Sequence, residues 1–439
     1  MSDRIMFTRR EFLRTASVLA VGATIPRFLV EFASAAQTGV IPGFSDDRIL
    51  VVVQLAGGND GLNTVVPYAD DAYYRARPTL AQPKEKLLRV DDHVAFHPKL
   101  APLADLLQKQ YLTIVEGVGY PNPNRSHFRS MEIWQTASDS REYLTTGWVG
   151  RYLDAACSGE AKPVAGVSIG GEMPLAMVGK RGLAVTVQDL ESFGWKTAEN
   201  TAPPEALLQL NHALSKTPRT RGRLTAPTNF FAQDNLSFLR QVIADAAIST
   251  DLLRRVSSRS GSSVTYPNDP FAQGLATISK MIASGLPTRI YYVSLTGFDT
   301  HSNQLGTHER LLDQFAKGLA AFWQDLEAQG NAERVLVMTF SEFGRRVAEN
   351  GSQGTDHGTA QPMFLIGKVV RPGFAGARPS LTDLEAGDLK FTTDFRSVYA
   401  TVLEKWLGTS SETVLGKKFA QLPIIQKHAT VGQQATKNT

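Results

Sequence analysis

The stretch Ile-Leu-Val-Val-Val-Gln-Leu at residues 49–55, followed by Ala-Gly-Gly-Asn-Asp-Gly at 56–61, decides the fold class. Its first part is apolar apart from Gln54 and rich in β-branched side chains, which predicts a strand buried on both faces, as in a parallel sheet. The glycine-rich turn ends that strand and leaves Asn59 and Asp60 beyond its carboxyl end. The stretch therefore predicts an α/β sheet with polar side chains at one edge.

Further short apolar runs predict more strands of the same sheet, at 112–115, 290–295, 335–340 and 363–366. Between the runs, apolar residues recur at helical spacing, at 97–110, 126–137, 308–329 and 394–407. Such spacing is typical of helices that bury one face. Strands that alternate with helices predict a layered α/β fold with right-handed crossovers.

The first 36 residues predict an export signal rather than part of the fold. Thr-Arg-Arg-Glu-Phe-Leu at 8–13 is followed by an apolar stretch at 16–25 and by the small-x-small pattern Ala-Ser-Ala at 33–35. The paired arginines indicate the twin-arginine translocase as a partner and a periplasmic or other extracytoplasmic location. The apolar stretch is shorter than the roughly 20 residues that span a bilayer. Either cleavage of the signal or its retention as an anchor fits this pattern.

The rest of the chain predicts one α/β domain over residues 46–410, with a mostly helical insert at about 203–285 and a tail at 411–439. No second apolar run reaches spanning length, so we expect the mature protein not to cross a membrane. The formal net charge of +4 is too small to argue for nucleic acid as a partner. Cys157 is the single cysteine, which excludes an internal disulfide.

Polar residues follow the predicted strands at the positions where open α/β sheets bind ligands, outside the carboxyl ends of the strands. A further pair, Asp356-His357, precedes the last strand and is expected at the same edge if the strands are parallel. The other candidates are Asn59, Asp60, Arg125, Ser126, His127, Asp299, His301, Ser341 and Glu342.

Several carboxylates at one edge repel one another unless some are protonated or a cation lies among them. Carboxylate and imidazole ligands suit zinc, manganese, iron, magnesium or calcium, and no thiolate is present to favour a structural zinc site. The pattern predicts one or two divalent metal ions. The alternative is that each polar cluster is only a turn or a helix cap.

Ser126 is the candidate nucleophile. It lies where a helix is predicted to begin, and helix N-termini stabilise anions through their amides and dipole. Arg125 and His127 add hydrogen-bond donors beside it. The alternative role for Ser126 is that of a simple N-cap.

The chain resembles the exported bacterial proteins of domain-of-unknown-function family 1501. The resemblance rests on the twin-arginine leader and on five motifs, which are Leu-Ala-Gly-Gly-Asn-Asp-Gly-Leu-Asn-Thr at 55–64, Asn-Arg-Ser-His-Phe at 124–128, Gly-Phe-Asp-Thr-His at 297–301, Ser-Glu-Phe-Gly-Arg at 341–345 and Thr-Asp-His-Gly at 355–358. That family looks like a branch of the alkaline phosphatase and sulfatase superfamily. The fold implied is an α/β/α sandwich with a central, largely parallel sheet.

The resemblance also implies roles for individual residues. Ser126 falls at the nucleophile position of the superfamily. The implied metal ligands are Asp60, Asp299, His301, Glu342 and His357, to which the residue pattern adds Asp356. The residues expected to orient the substrate are Asn59, Arg125, His127 and Arg345. Phe343 departs from the superfamily pattern because it stands where a histidine ligand is expected, and the Asp299-His301 spacing is shorter than usual.

The leading hypothesis is therefore an exported metal-dependent hydrolase that acts on a small anionic ester of the phosphate or sulfate type. The alternative is a catalytically eroded member of the superfamily that acts as an exported binding or assembly protein, which Phe343 favours. A metal-free serine esterase is disfavoured because the chain lacks the Gly-x-Ser-x-Gly motif at Ser126.

Overall fold

A computed structural model describes residues 47–157, 164–182, 184–188, 256 and 262–426. The predicted leader at 1–36 lies outside the described residues, as do most of the predicted insert and the end of the tail. Apart from Val256, the described residues belong to one compact unit. The predicted domain boundaries remain predictions.

The strands, in chain order, are β1 (Ile49–Ala56), β2 (Val65–Val66), β3 (Leu88–Arg89), β4 (Ala95–Phe96), β5 (Leu112–Gly119), β6 (Gly166–Ile169), β7 (Ala184–Val187), β8 (Ile290–Thr296), β9 (Val335–Phe340), β10 (Gln361–Ile366), β11 (Gly373–Ala375), β12 (Leu384–Glu385), β13 (Asp388–Leu389) and β14 (Thr393–Asp394). The five predicted apolar runs correspond to β1, β5, β8, β9 and β10.

The α-helices are α1 (Gly61–Thr64), α2 (Asp71–Ala76), α3 (Ala101–Gln108), α4 (His127–Thr136), α5 (Trp148–Ala156), α6 (Pro270–Ala283), α7 (Gln304–Ala328), α8 (Phe395–Thr401) and α9 (Ser411–Leu415). Short 3-10 helices occupy Lys84–Lys86, Pro98–Leu100, Leu175–Met177 and Ala332–Arg334, and a π-helical turn at Val402–Trp406 continues α8. Helix α7 begins four residues before its predicted start. Within the described ranges, no helix combines the length and the apolar character that a bilayer span requires.

The main sheet has the strand order β11-β5-β10-β9-β1-β8-β6-β7, with β14 also paired to β5. Every pairing in it is parallel except those of β10, which is antiparallel to both β5 and β9. Strand β1 lies at the centre, and Ile49 to Leu55 are all buried. Two small antiparallel sheets, β2-β4-β3 and β12-β13, flank the main one.

Helices cover both faces of this sheet. On one face, Trp134 of α4 stacks on Phe340 of β9 at 5.7 Å between ring centroids, and Tyr292 of β8 meets the same ring at 6.4 Å. The next residue, Val293, points to the opposite face. There it packs against α6, where a Cβ added at Gly274 would lie 3.1 Å from Val293. The predicted α/β fold with a largely parallel central sheet, layered between helices, is confirmed.

The direction of β10 corrects one step of the sequence argument. Asp356 and His357 were expected at the ligand-binding edge if all strands ran parallel. A parallel β10 would instead begin at the opposite edge of the sheet. Because β10 is antiparallel to β5 and β9, the residues that precede it lie at the edge where the other strands end.

Candidate metal centre

Asp299, just beyond β8, is the point at which three histidines meet. Its Oδ1 lies 3.0 Å from Nε2 of His301 and 3.1 Å from Nε2 of His357, and its Oδ2 lies 3.3 Å from Nε2 of His127. The Nε2 atoms of His301 and His357 are only 2.9 Å apart. Among the described residues, His127, Asp299 and His357 form a group whose ligand atoms all lie within 4.8 Å of one another. Three separate loops thus bring one carboxylate and three ring nitrogens together.

Each of the three imidazole rings places its other nitrogen, Nδ1, against a hydrogen-bond acceptor. The pairs are His127 with Glu342 Oε1 at 2.8 Å, His357 with the carbonyl oxygen of Arg125 at 2.7 Å, and His301 with Asp356 Oδ1 at 3.2 Å. A carbonyl or an ionised carboxylate can only accept, so each Nδ1 carries a proton, and Nε2 is the nitrogen of each ring that faces Asp299. Histidines that ligate metals are supported in this way.

The charge state of the cluster suits a cation. Burial would raise the pKa of Asp299, but the hydrogen bond and the charge of Arg345, together with the contact of His357, outweigh it and bring this pKa to about 2. Burial lowers the pKa of His357 despite its contact with Asp299. The hydrogen bond to Glu342 raises the pKa of His127. An ionised carboxylate beside neutral His357 therefore faces the shared space at neutral pH.

Glu342 and Gly57 tie the loop after β1 to this centre. Glu342 is buried, and its Oε1 accepts from the amide of Gly57 at 2.8 Å as well as from His127. Gly57 has a φ of +119°, and a Cβ there would lie 2.4 Å from the backbone nitrogen of Asp299. Only glycine lets the two loops approach this closely.

Arg345 holds Asp299 in place. Its buried guanidinium donates to Oδ1 of Asp299 at 2.8 Å, and the rest of its hydrogen bonds are to backbone carbonyls. Those carbonyls belong to Gly57, Gly58, Phe298 and Thr355. The sequence predicts that Arg345 contacts the substrate. In the structure its guanidinium already makes hydrogen bonds that connect several loops.

The apolar ring of Phe343 packs against the cluster. Its ring centroid lies 4.5 Å from that of His357 and 4.9 Å from that of His127. Gly58 makes room for the ring, since a Cβ at that position would lie 2.4 Å from a Phe343 carbon. The position that cannot bind a metal therefore supports the faces of two residues that can.

Asp60 and Asn59 lie apart from the histidines. Asp60 Oδ2 forms a fully buried ion pair with Nη1 of Arg77 at 2.6 Å and also accepts from Gln304. The side chain of Asn59 is buried as well and is bonded to Thr64 and His308. The structure does not bring these two predicted site residues into the cluster around Asp299.

Ser126 is the N-cap residue, directly before α4, and is exposed. Within the described chain its hydroxyl makes no capping hydrogen bond, while its backbone nitrogen donates to Oδ1 of Asn124 at 2.8 Å. The neighbouring Arg125 directs its guanidinium to Asp388 and its carbonyl to His357. Ser126 therefore directly precedes the cluster residue His127 in the chain, and its hydroxyl has no capping role within the described residues.

The sequence interpretation missed two features of this region. It placed His127 with the substrate-binding residues, although its Nε2 is buried without a hydrogen-bond partner among the described residues. It also did not single out Arg77, for which no motif gives a signal. The acceptor that reveals the role of His127, Glu342, was itself a candidate from the sequence.

Comparisons with known proteins give a family and some structural likenesses. No curated protein sequence matches the chain. Similar solved structures include the PsFucS1 sulfatase from Pseudoalteromonas sp., at 10% identity over 95% of this chain and 75% of that chain, with a TM-score of 0.36. Another is the lipoteichoic acid synthase LtaP from Listeria monocytogenes, at 10% identity over 79% of this chain and 75% of that chain, with a TM-score of 0.33. A third is Ps i-CgsB in complex with k-i-k-neocarrahexaose, at 10% identity over 85% of this chain and 73% of that chain, with a TM-score of 0.37.

The family model described as "Protein of unknown function (DUF1501)" matches residues 47–420. This match spans most of the sequence and every loop that builds the cluster. The chain therefore belongs to the DUF1501 family.

Proposed function

We propose that this protein is an exported metal-dependent hydrolase of phosphate- or sulfate-type esters, with Ser126 as its nucleophile. The observation that carries the proposal is the convergence of His127, His301 and His357 on Asp299, each ring with its Nδ1 satisfied. These four side chains would hold the cation. Three imidazole nitrogens and one carboxylate suit zinc, manganese or iron better than magnesium or calcium, which prefer oxygen ligands.

The support for Ser126 comes from its place beside this cluster. It is exposed at the first turn of α4, a helix of ten residues whose amides and dipole favour an anionic group. A bound cation would supply positive charge that neutralises the oxygens of the ester. The Ser126 oxygen would form a bond to the phosphorus or sulfur atom and pass its proton through water to the departing alcohol oxygen. The ester bond would then break, and the alcohol would leave with a proton.

Water would complete the cycle by cleaving the bond from the Ser126 oxygen to phosphorus or sulfur, which releases the inorganic anion and restores the hydroxyl. The amides at the start of α4 are better placed to meet the anion than two of the predicted side chains. Arg345 and Asn59 are buried and bonded within the loops. His127 is assigned to the cation rather than to the substrate.

A second candidate function is that of an exported binding or assembly protein without catalysis. Phe343 favours it, because its apolar ring packs against the cluster and contacts two of the histidines. Such a protein could keep the fold and a bound cation without turning over an ester. Export itself, through the twin-arginine translocase to an extracytoplasmic location, is proposed from residues 8–35.

Metal analysis combined with turnover tests this proposal. Wild-type protein, Ser126→Ala and the control Ser380→Ala, which removes an exposed turn hydroxyl, would be assayed on aryl phosphates, aryl phosphate diesters and aryl sulfates. We expect stoichiometric metal in all three and turnover in all but Ser126→Ala. Bound metal without any turnover would favour the binding protein. Protein without metal, or equal turnover by Ser126→Ala, would overturn the proposed mechanism.

A further inference from the structure

We infer that the chain holds one cation rather than two, and that the guanidinium of Arg77 occupies the place beside Asp60 that a second cation would need. The inference rests on the proposed metal centre and limits its composition. It concerns Asp60 because this carboxylate was a candidate ligand from the sequence, yet it lies outside the cluster around Asp299.

The first observation is the ion pair itself. Nη1 of Arg77 lies 2.6 Å from Oδ2 of Asp60, and both side chains are 0% exposed. Burial would raise the pKa of Asp60, but the charge and hydrogen bond of Arg77, together with His308 and the hydrogen bond of Gln304, outweigh it, and the pKa lies below its usual value. Asp60 is therefore an ionised carboxylate whose charge is already balanced by a cation that belongs to the chain.

The second observation is that Arg77 is fixed from every side. Nε donates to the carbonyl of Val347 at 2.9 Å, Nη1 to Oδ1 of Asn63 at 2.9 Å, and Nη2 to the carbonyl of Arg346 at 2.8 Å. A metal ion that displaced the guanidinium would remove the donor from the carbonyls of Val347 and Arg346, which costs free energy for each of them, while Oδ1 of Asn63 would keep the hydroxyl of Tyr73 as a donor. Arg77 therefore resists replacement by an ion.

The third observation is the shortage of ligands around Asp60. Its Oδ2 already accepts from Arg77 and Gln304. Its Oδ1 is buried and has no hydrogen-bond partner among the described residues. One oxygen does not make a metal site, because zinc takes about four ligands and calcium six to eight.

The neighbouring groups do not make up that shortage. Burial lowers the pKa of His308 to about 4, so this ring is neutral, and its Nε2 lies 3.0 Å from Oδ1 of Asn59. Oε1 of Glu342 is engaged by the amide of Gly57 and by His127, and its Oε2 lies 3.4 Å from the hydroxyl of Ser341. Over the described part of the chain, Asp60 does not join any group of metal-ligating side chains around one point.

Metal stoichiometry tests the inference directly. The full-length protein, purified after export, would be stripped with a chelator, reloaded with excess zinc, passed over a desalting column and analysed for zinc per chain. We expect one zinc per chain. Two per chain would overturn the inference and leave the proposed centre standing. A protein that retains no zinc would overturn both the proposed metal centre and this inference.

A matched pair of isosteric variants distinguishes the roles of Asp299 and Asp60 in zinc binding. Asp299→Asn is expected to lose the bound zinc, whereas Asp60→Asn is expected to keep one zinc per chain. Asp60→Asn leaves the guanidinium of Arg77 buried without its partner and lowers the thermal midpoint. The double variant Asp60→Asn with Arg77→Met removes both charges and serves if the single variant does not fold. Loss of zinc from either folded Asp60 variant, as complete as in Asp299→Asn, would overturn the inference.

Discussion

Glu342 and His127 form a pair in which a buried carboxylate fixes a partly exposed ring. Oε1 of Glu342 lies 2.8 Å from Nδ1 of His127, and the two side chains are 1% and 32% exposed. The next residue, Phe343, contacts a face of the same ring. Two adjacent residues thus set both the hydrogen bonding and the orientation of His127, and a bound cation would meet a ring that is already positioned.

Glu342→Gln tests this positioning. The amide cannot supply the charge that holds the proton on Nδ1 of His127, so we expect zinc affinity to fall about 10- to 100-fold, as for other supporting partners of metal ligands. Competition with a chromophoric chelator would measure it. Glu349→Gln is the control, because that carboxylate binds the backbone nitrogens of Thr79 and Leu80. Equal affinity of Glu342→Gln and wild type would show that the pair does not act on a metal.

Ser126→Ala should leave the stability of the protein unchanged. Its hydroxyl makes no capping bond within the described chain, so the free energy of unfolding is expected to change by no more than about 0.5 kcal/mol. Asp269→Ala is the comparison, because Asp269 caps α6 by accepting from the amides of Phe271 and Ala272, and its loss costs about 1 kcal/mol. Denaturant unfolding measures both. A loss at Ser126 as large as that at Asp269 would mean that Ser126 is a structural cap.

Gly57→Ala should destabilise the protein strongly. Gly57 and Gly285 both have positive φ, at +119° and +69°, and alanine at a positive φ costs about 1–2 kcal/mol. A Cβ added at Gly285 would have no neighbouring atom within 4 Å in the described part of the chain. A Cβ added at Gly57 would lie 2.4 Å from the backbone nitrogen of Asp299. We therefore expect Gly57→Ala to lose more than twice the unfolding free energy of Gly285→Ala. Similar losses would show that the loops of β1 and β8 can separate without penalty.

Acid should destabilise the protein partly through His308, whose pKa burial lowers to about 4 against an ordinary value of 6.5. Between these values the unfolded chain binds a proton that the folded chain does not. The contribution of His308 is therefore complete above pH 6.5 and decreases as the pH falls, by about 3 kcal/mol at pH 4.

His308→Gln should weaken this dependence, because glutamine can still donate to Asn59 but does not titrate. Urea unfolding at a series of pH values between 7 and 4 would show a shallower loss in the variant than in wild type. His93→Gln, at an exposed position, should behave as wild type. Equal slopes for His308→Gln and wild type would contradict the assignment.

Replacing the paired arginines should block export. Arg9→Lys combined with Arg10→Lys keeps the charge but removes the pair that the translocase reads, so we expect the protein to accumulate in the cytoplasm. Cell fractionation and immunoblotting measure the distribution. Arg14→Lys, a basic residue outside the pair, is the control and should be exported. Unchanged export of the double variant would show that another route carries the protein.

The sequence was sufficient for the long buried strands because they have continuous apolar runs, as Ile49 to Leu55 show, but it did not predict the short strands β6, β7, β11 and β14 of the same sheet. It was not sufficient for the direction of β10. A strand buried on both faces presents the same apolar residues whichever way it runs, so its direction depends on the path of the chain and not on its composition. The motif of residues 355–358 was therefore expected at the ligand-binding edge because β10 was expected to be parallel. It lies at that edge because β10 is antiparallel to β5 and β9.

The site was predictable where residues follow strands closely. Asp299 and His301 come within five residues of the end of β8, and the structure brings them to His357 as the edge rule suggests. The position of Asp60 was not predictable in the same way. Its neighbour Arg77 is 17 residues away and reaches it through a tertiary contact that no local pattern announces.

The antiparallel course of β10 places several candidate residues in one continuous segment of the chain. Strand β9 ends and β10 begins at one edge of the sheet, so residues 341–360 leave and re-enter the core at the same side. This one segment contains Glu342, Phe343, Arg345, Asp356 and His357. A change in the course of this segment would therefore move the candidate ligand His357, its supporting residue Glu342 and the ring of Phe343 together.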